Sequence, residues 1–193
     1  MALPHLKNSQ SGLNKFDPVH NSIFEINFTI PEALRTTFGA DEAILTEQVN
    51  KISGLEGLNK GPELVKQQFM GTTRSYLAPK LGETNVEFEI EFALNLRGDN
   101  RTDNFIYKLL RAWNKLGYNM ENGETTLKKE YCAEWFQINI ANREGDIIRQ
   151  ILMKDVIMHG GLGGWGDLDY TANEPVTITA KFNTDWWDDT DAE

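Results

Sequence analysis

The sequence has one cysteine and three histidines. With Cys132 alone, no intrachain disulfide can form. We expect Cys132 to be a buried structural thiol, because no histidine lies near it in the sequence and apolar burial raises a thiol pKa. The three histidines show neither ligand-like spacing nor a pattern of acidic or cysteine partners, so we predict no metal site.

Long apolar runs and an excess of positive charge are also absent. No run approaches the ~20 apolar residues that a membrane-spanning helix needs, so we predict no membrane-spanning segment. Lysine and arginine total 19 against 29 aspartates and glutamates, which gives a formal net charge of −10. Nucleic acid is therefore not expected as a specific binding target. A chain of 193 residues is long enough for one domain with a substantial core.

Signatures of enzymes are missing as well. The glycine-rich stretch 160–166 lacks the Gly-Lys-Ser/Thr ending and the following helix of a phosphate-binding loop, so we predict a turning connection there. The chain shows no catalytic triad and no dinucleotide fingerprint, and we predict no catalytic residue and no cofactor. A hydrolase with an unrecognised pair of carboxylates stays open as an alternative class.

What the sequence does contain is strict alternation of apolar and polar residues, which is typical of half-buried strands. The alternation is clearest in residues 23–30, 86–96 and 176–187. In the last of these the predicted apolar face consists of Val176, Ile178, Ala180, Phe182 and Trp186. Further strands are predicted at residues 44–52, 64–70 and 131–140, whereas 147–158 fits a helix or a strand.

Residues 64–70 and 86–96 are predicted to form a long hairpin, joined by a polar connection over 71–84. The polar face of its second strand carries a row of three carboxylates, Glu87, Glu89 and Glu91. Such a row usually marks a solvated strand face. The functional alternative is a surface that must not bind an anion.

One helix is predicted with an apolar stripe, over residues 102–116. Its core-packing residues recur at spacings of three and four, and they include Phe105, Leu109, Trp113 and Leu116. Thr102 or Asp103 is the expected N-cap, and Gly117 the expected residue just beyond the helix.

The order of these elements resembles that of the tail tube proteins of contractile-tailed bacteriophages, the T4-like tail tube family. Three stretches carry the resemblance. They are Phe69-Met70 opening a hairpin whose return arm is 86–96, the helix 105–116 with its Trp113, and the stretch 160–187. This last stretch has a glycine-rich loop, an alternating strand and a terminal aromatic cluster followed by acidic residues. The similarity covers residues 21–188, between an N-terminal arm at 1–20 and an acidic tail at 189–193.

The resemblance implies a mainly β fold, an antiparallel β-sandwich or barrel with one flanking helix and a long hairpin. Six copies would close a ring with a continuous inner β-barrel. Stacked rings would form a hollow tube inside a contractile sheath, the channel for genome delivery. The implied partners are the chain itself, sheath, baseplate and tape-measure proteins, and DNA that passes without specific binding. The implied location is the virion, after assembly in the host cytoplasm.

In that setting Glu87, Glu89 and Glu91 are expected to line the channel. The loop 71–84, with Arg74, Tyr76 and Lys80, is expected to contact the next ring.

Other functions stay open at this point. They are the inner tube of a bacterial contractile injection system, a tube initiator at a baseplate, and a carbohydrate-binding β-sandwich. In the last case Trp165, Trp186 or Trp187 would stack against sugar rings.

Overall fold

The computed structural model describes residues 23–38, 42–59, 64–77, 85–95, 104–118, 123–164 and 175–191. The strands in this part of the chain are β1 (Phe24–Phe28), β2 (Val49–Ser53), β3 (Leu64–Phe69), β4 (Thr72–Leu77), β5 (Val86–Ala93), β6 (Cys132–Ala141), β7 (Ile147–Gly163) and β8 (Thr177–Asp191). The helices are α1 (Glu32–Phe38), α2 (Glu42–Glu47), α3 (Phe105–Gly117) and α4 (Lys128–Tyr131), with a 3-10 helix at Leu55–Asn59.

Six strands form one antiparallel sheet in the order β1-β6-β7-β8-β5-β2, and β3 pairs with β4 in a separate two-stranded sheet. The six-stranded sheet curves into a nearly closed barrel. Phe28 of β1 and Phe92 of β5 are four strands apart in the sheet, yet their ring centroids lie 6.3 Å apart. The predicted mainly β, antiparallel fold is confirmed.

Alternation along the strands fills the interior of the barrel. On β5, Val86, Phe88, Ile90 and Phe92 are buried while the intervening glutamates face outward. Its neighbour β8 adds Ile178, Ala180 and Phe182 to the same core. Burial of large apolar side chains stabilises a fold by about 1.5–3 kcal/mol each, so these strands supply much of the stability.

The helix α3 packs its apolar stripe into this core. Phe105, Leu109 and Trp113 are buried, and Leu116 packs half-buried against them. The expected ends of the helix are wrong. Asn104 is the N-cap, because its side-chain oxygen accepts a hydrogen bond from the Tyr107 N–H at 3.3 Å. Gly117 is the last helical residue, and the extended Tyr118 follows it.

The strand predicted at 44–52 is wrong in its first half. The chain is helical through Glu47 in α2 and becomes a strand only at Val49. Alanine, leucine and glutamate are strong helix formers, and they outweigh the β-branched residues at the start of this segment.

The long hairpin between 64–70 and 86–96 is also wrong. The partner of β3 is β4, which lies inside the segment expected to be a loop, and β5 pairs with β8 and β2. Met70 and Gly71 have φ values of 28° and 86°, the two positive angles of a tight hairpin turn. The chain therefore reverses immediately after Phe69. Residues 78–84, with Lys80, lie outside the described residues.

The ambiguous segment 147–158 is a strand, and β7 continues through four residues of the glycine-rich stretch that was expected to turn. The residue after β7, Gly164, must lack a side chain because the backbone of Thr177 packs closely against it. A Cβ at Gly164 would lie 2.1 Å from the Thr177 carbonyl oxygen. Trp165 lies outside the described residues.

The predicted apolar face of the last strand fails at Trp186, which is exposed, whereas Trp187 packs against the core. The partner strand β7 shows the cause. Met153 and Val156 are both buried although they are three residues apart, and Asp155 between them has a φ of 54°. This irregularity shifts the inward face by one residue, and β8 follows the shift. β8 itself extends to Asp191, into the segment expected as an acidic tail.

Candidate assembly surfaces

The three glutamates of the predicted row lie on the outer face of β5, away from the barrel core. Glu89 stands opposite Lys181 of β8, and the Lys181 ammonium lies 3.1 Å from the Glu89 carboxylate. In the described part of the chain, Glu87 and Glu91 form no ion pair. The row is therefore only partly neutralised.

A cavity of about 310 Å³ opens on this face, lined by Ser53, Gly54, Glu87, Phe88, Glu89, His159 and Lys181. Its lining includes the negatively charged Glu87 and Glu89 and the positively charged Lys181. Two buried polar atoms of the same sheet, His159 Nε2 and Asn183 Oδ1, have no hydrogen-bond partner among the described residues. The outer face of β5, β7 and β8 around this cavity thus carries polar groups and charges of both signs.

The β3–β4 hairpin presents a different, more apolar surface. Leu64 and Leu77 are register partners and are 62% and 67% exposed. On the opposite face Val65 and Tyr76, also register partners, are both 45% exposed. A two-stranded hairpin is at best marginally stable alone in water, so this one fits a contact with another molecule.

Arg74 and Tyr76, expected on a loop, lie on β4 and on the same face of the hairpin, because they are two residues apart in a strand. The structure brings them together with Val65 and Gln67, their register neighbours. The hairpin is a separate sheet, so Arg74 and Tyr76 lie on a strand that is not hydrogen-bonded to the sheet that carries the glutamate row.

Two features of the surface were not predicted from the sequence. The first is the fully exposed Met70 at the hairpin tip. The second is a cavity of about 230 Å³ where the edge strands β1 and β2 approach each other, which we call the seam pocket. It is lined by Phe24, Ile52, Leu55, Ile138 and Ile140. Every described lining side chain is apolar, so the pocket suits an apolar occupant.

The described tryptophans of the last strand do not form a shared platform for a sugar. Trp186 and Trp187 are consecutive in β8, so their side chains point to opposite sides. The Lys154 ammonium lies 5.0 Å from the centre of the Trp186 ring and covers one of its faces. The carbohydrate-binding alternative therefore has no shared platform of two tryptophans in β8.

Cys132 is half-buried at the start of β6, and burial, reinforced by nearby Asp155, raises the pKa of its thiol to about 11. The thiol is therefore protonated at neutral pH and is a poor nucleophile. Close by, Lys128 pairs with Asp185, and this hydrogen bond raises the pKa of Lys128.

Across the described ranges, no three histidine, cysteine, aspartate or glutamate side chains gather as a metal site would require. Nor does any described helix have the length and apolar character to cross a membrane.

Comparison with known proteins identifies relatives by structure alone. The sequence matches no protein-family model and no curated protein. Among solved structures, the fold matches a chain of the anti-feeding prophage cap, described as the tube terminating cap, with a TM-score of 0.56 and 11% identity over 92% of this chain and 93% of that one. A chain of the sheath–tube complex of an extracellular contractile injection system, PVC, matches with a TM-score of 0.56 and 10% identity over 94% and 97%.

The chain has a tube-type fold. A third match, to a chain of the anti-feeding prophage baseplate, has a TM-score of 0.52 and 11% identity over 91% of this chain and 97% of that one. At such low identities the tube-type fold is shared while individual side chains are not. These three structures come from the anti-feeding prophage and from an extracellular contractile injection system.

Proposed function

We propose that this chain is the structural subunit of the inner tube of a contractile tail-like particle and has no catalytic activity. The observation that carries the proposal is the match to the sheath–tube complex, which spans 94% of this chain and 97% of that one. The tube-type fold is therefore shared over nearly the whole of this chain.

Copies of the chain are proposed to close into rings of six, and the rings to stack into a tube within a sheath. The β3–β4 hairpin supports such self-association because it exposes apolar side chains on both faces. The free edges of β1 and β2 support it as well, since unpaired strand edges favour pairing with another chain. The hairpin, with Arg74 and Tyr76, replaces the expected loop as the proposed contact between stacked rings.

The outer face of β5 is proposed to line the channel. Six chains of −10 carry about −60 per ring, and Glu87 and Glu91 have no ion-pair partner among the described residues. DNA carries one negative charge per ~1.7 Å, so an acidic wall would not retain it. At physiological salt the repulsion reaches only about 8 Å, so such a wall prevents adhesion near contact and does not drive transport.

The proposed setting is a phage tail or a bacterial contractile injection system. Its partners would be the sheath, baseplate and tape-measure proteins, and its cargo DNA or protein. In the phage setting the tube would be assembled in the host cytoplasm and carried in the virion.

A second candidate is a tube-terminating cap, which a specific observation favours. The match to the tube terminating cap has the same TM-score, 0.56, as the match to the sheath–tube complex. A cap would form one ring on the end of a tube and would not polymerise by itself.

Negative-stain electron microscopy of the purified protein at several concentrations tests both candidates. Open-ended tubes of stacked rings support the tube subunit, whereas isolated rings that do not stack support the cap. A protein that stays monomeric at every concentration, or that binds glycans as a monomer, overturns the proposal.

A further inference from the structure

We propose that Met70, at the tip of the β3–β4 hairpin, inserts into the seam pocket of a second copy of the chain. This inference rests on the proposed function, because it names one contact through which copies would join.

The turn at the hairpin tip carries a residue that the fold of a single chain does not explain. Met70 has a φ of 28°, in a region where glycine, asparagine and aspartate are favoured, and Gly71 beside it has a φ of 86°. The Met70 side chain is fully exposed, so it gains no burial in its own chain. A long apolar side chain in a strained, projecting turn is accounted for by a contact outside the chain.

The seam pocket has the size and chemistry to receive such a side chain. At about 230 Å³ it is smaller than the ~300–1,000 Å³ of typical small-molecule sites, and its described lining side chains are all apolar. Methionine is unbranched and flexible, which suits an irregular apolar gap between two strand edges. Met70 is exposed, so it does not fill the seam pocket of its own chain.

Charge favours a second copy as the donor of the hairpin. The described hairpin carries Lys66 and Arg74 and no acidic residue, in a chain whose net charge is −10. The exposed carboxylate of Glu56 follows Leu55 at the pocket, whereas Glu25 lies on the opposite face of β1 from Phe24 and accepts a hydrogen bond from Asn139. A hairpin without acidic residues is attracted to a second copy whose net charge is −10.

The contact joins two different surfaces of the same protein. Each copy would present both a tip and a pocket, so the contact repeats from one copy to the next and closes a ring or extends a filament. A symmetric dimer would need both contacts to form at once between the same two copies.

Two substitutions at the tip separate docking from folding. Asparagine suits the positive φ, so Met70→Asn is expected to leave the melting temperature of the monomer unchanged or raised while reducing the sedimentable fraction at least tenfold. Met70→Leu retains an apolar side chain and is expected to assemble within about twofold of the parent. Normal assembly of Met70→Asn would overturn the proposal.

Cysteine cross-linking tests the pairing directly, since Cys132 is the sole native cysteine. In a Cys132→Ala background, Met70→Cys with Leu55→Cys is expected to give a ladder of covalent multimers on a non-reducing gel. The matched control combines Met70→Cys with Asp188→Cys, an exposed position on β8 in the interior of the sheet order, and should give no ladder.

The remaining outcomes distinguish this proposal from the proposed function. Tubes or rings without the ladder, or a cross-link within one chain, overturn the docking and leave the tube assignment intact. A cross-link that appears only after residues 1–20 are deleted shows that this segment occupies the pocket, and also overturns the docking. Failure of the parent chain to assemble overturns both.

Discussion

Trp113 joins several elements of the fold through one side chain. Its ring lies 6.2 Å from that of Phe136 on β6 and 5.6 Å from that of Phe182 on β8, both in edge-to-face geometry. Its indole N–H donates a hydrogen bond to the carbonyl oxygen of Tyr131, at the end of α4, at 2.9 Å. The packing of α3 onto the barrel therefore depends strongly on this residue.

Replacing Trp113 with alanine is expected to lower the free energy of unfolding by about 3–5 kcal/mol, because the side chain is only 1% exposed and leaves a large cavity. Trp186→Ala is the control, and its loss of an exposed cation–π contact should cost no more than ~1 kcal/mol. Urea unfolding measures both. Equal midpoints for Trp113→Ala and the parent would place α3 outside the cooperative core.

At Cys132, the raised thiol pKa of about 11 predicts slow alkylation. The thiolate is scarcer at pH 8 than for a thiol of pKa 9.0 but intrinsically more nucleophilic, so the net rate should fall roughly tenfold. Iodoacetamide labelling of the folded and urea-unfolded protein measures the ratio, and equal rates would contradict the expectation.

The same shift gives the sign of a pH effect on stability. The unfolded chain releases the proton near pH 9.0, while the folded chain holds it to about 11. The contribution of the Cys132 thiol to the free energy of unfolding is therefore fully present below pH 9 and is lost as the pH rises from 9 to about 11. Cys132→Ala removes this contribution.

At the scale of elements, β5 serves two surfaces at once. Its inward side chains, including Phe88 and Ile90, are buried in the core, whereas Glu87 on the other side is exposed. Its backbone pairs with both β8 and β2. Changes to its outward side chains can therefore alter the surface while the core stays intact.

Replacement of Glu87, Glu89 and Glu91 by lysine is expected to leave the fold intact, at a cost within ~0.5 kcal/mol for each exposed position. Positions 89 and 91 should cost most, because the new lysines would face Lys181 of β8 and Lys51 of β2 across the strand pairs. Delivery of DNA by particles that carry the variant should fall. A triple glutamine variant is the control for charge reversal, and normal delivery by the lysine variant would refute the channel assignment.

At the scale of the whole molecule, one connected core links the barrel and α3, and none of the buried residues described in it comes from the β3–β4 hairpin. The hairpin contributes ladder hydrogen bonds of its own but little apolar burial. Local stability should therefore differ sharply between the two sheets.

Hydrogen exchange should show this difference. Backbone amides of β6, β7 and β8 are expected to exchange slowly and those of β3 and β4 rapidly in the monomer, because the hairpin can open without disturbing the core. Assembly should protect the hairpin amides if the hairpin makes contacts between copies. Hairpin amides that are as protected as β8 in the monomer would contradict this picture.

The sequence predicted those parts of the fold that depend on local periodicity. Alternation located β5 and most of β8, and the stripe from Phe105 to Trp113 located α3. The resemblance added the tube-type fold, which no single motif specified. Strand pairing was beyond local periodicity, because apolar alternation in 64–70 and 86–96 does not determine which edge each strand joins.

The missed surface residues have physical explanations too. Because of the irregularity at Asp155, Trp187 and not Trp186 points toward the core. The alternation of apolar and polar residues near Trp186 does not predict this change. Met70 lies in a turn of a type usually formed by Asn-Gly, so its sequence gave no turn signal apart from Gly71. The seam pocket combines residues from four separate segments, and only the curvature of the sheet brings them together.

The strand order has a consequence for how the chain is made. Thr29, just after β1, hydrogen-bonds to Trp135, 106 residues later, so the first strand has no partner until more than half of the chain has been synthesised. At about 5–20 residues per second, the ribosome needs several seconds to supply that partner. Throughout that interval Ile26 and Phe28 are apolar side chains without their core. The nascent chain thus passes through an aggregation-prone period, and chaperone supply and translation rate will govern the yield of soluble subunits.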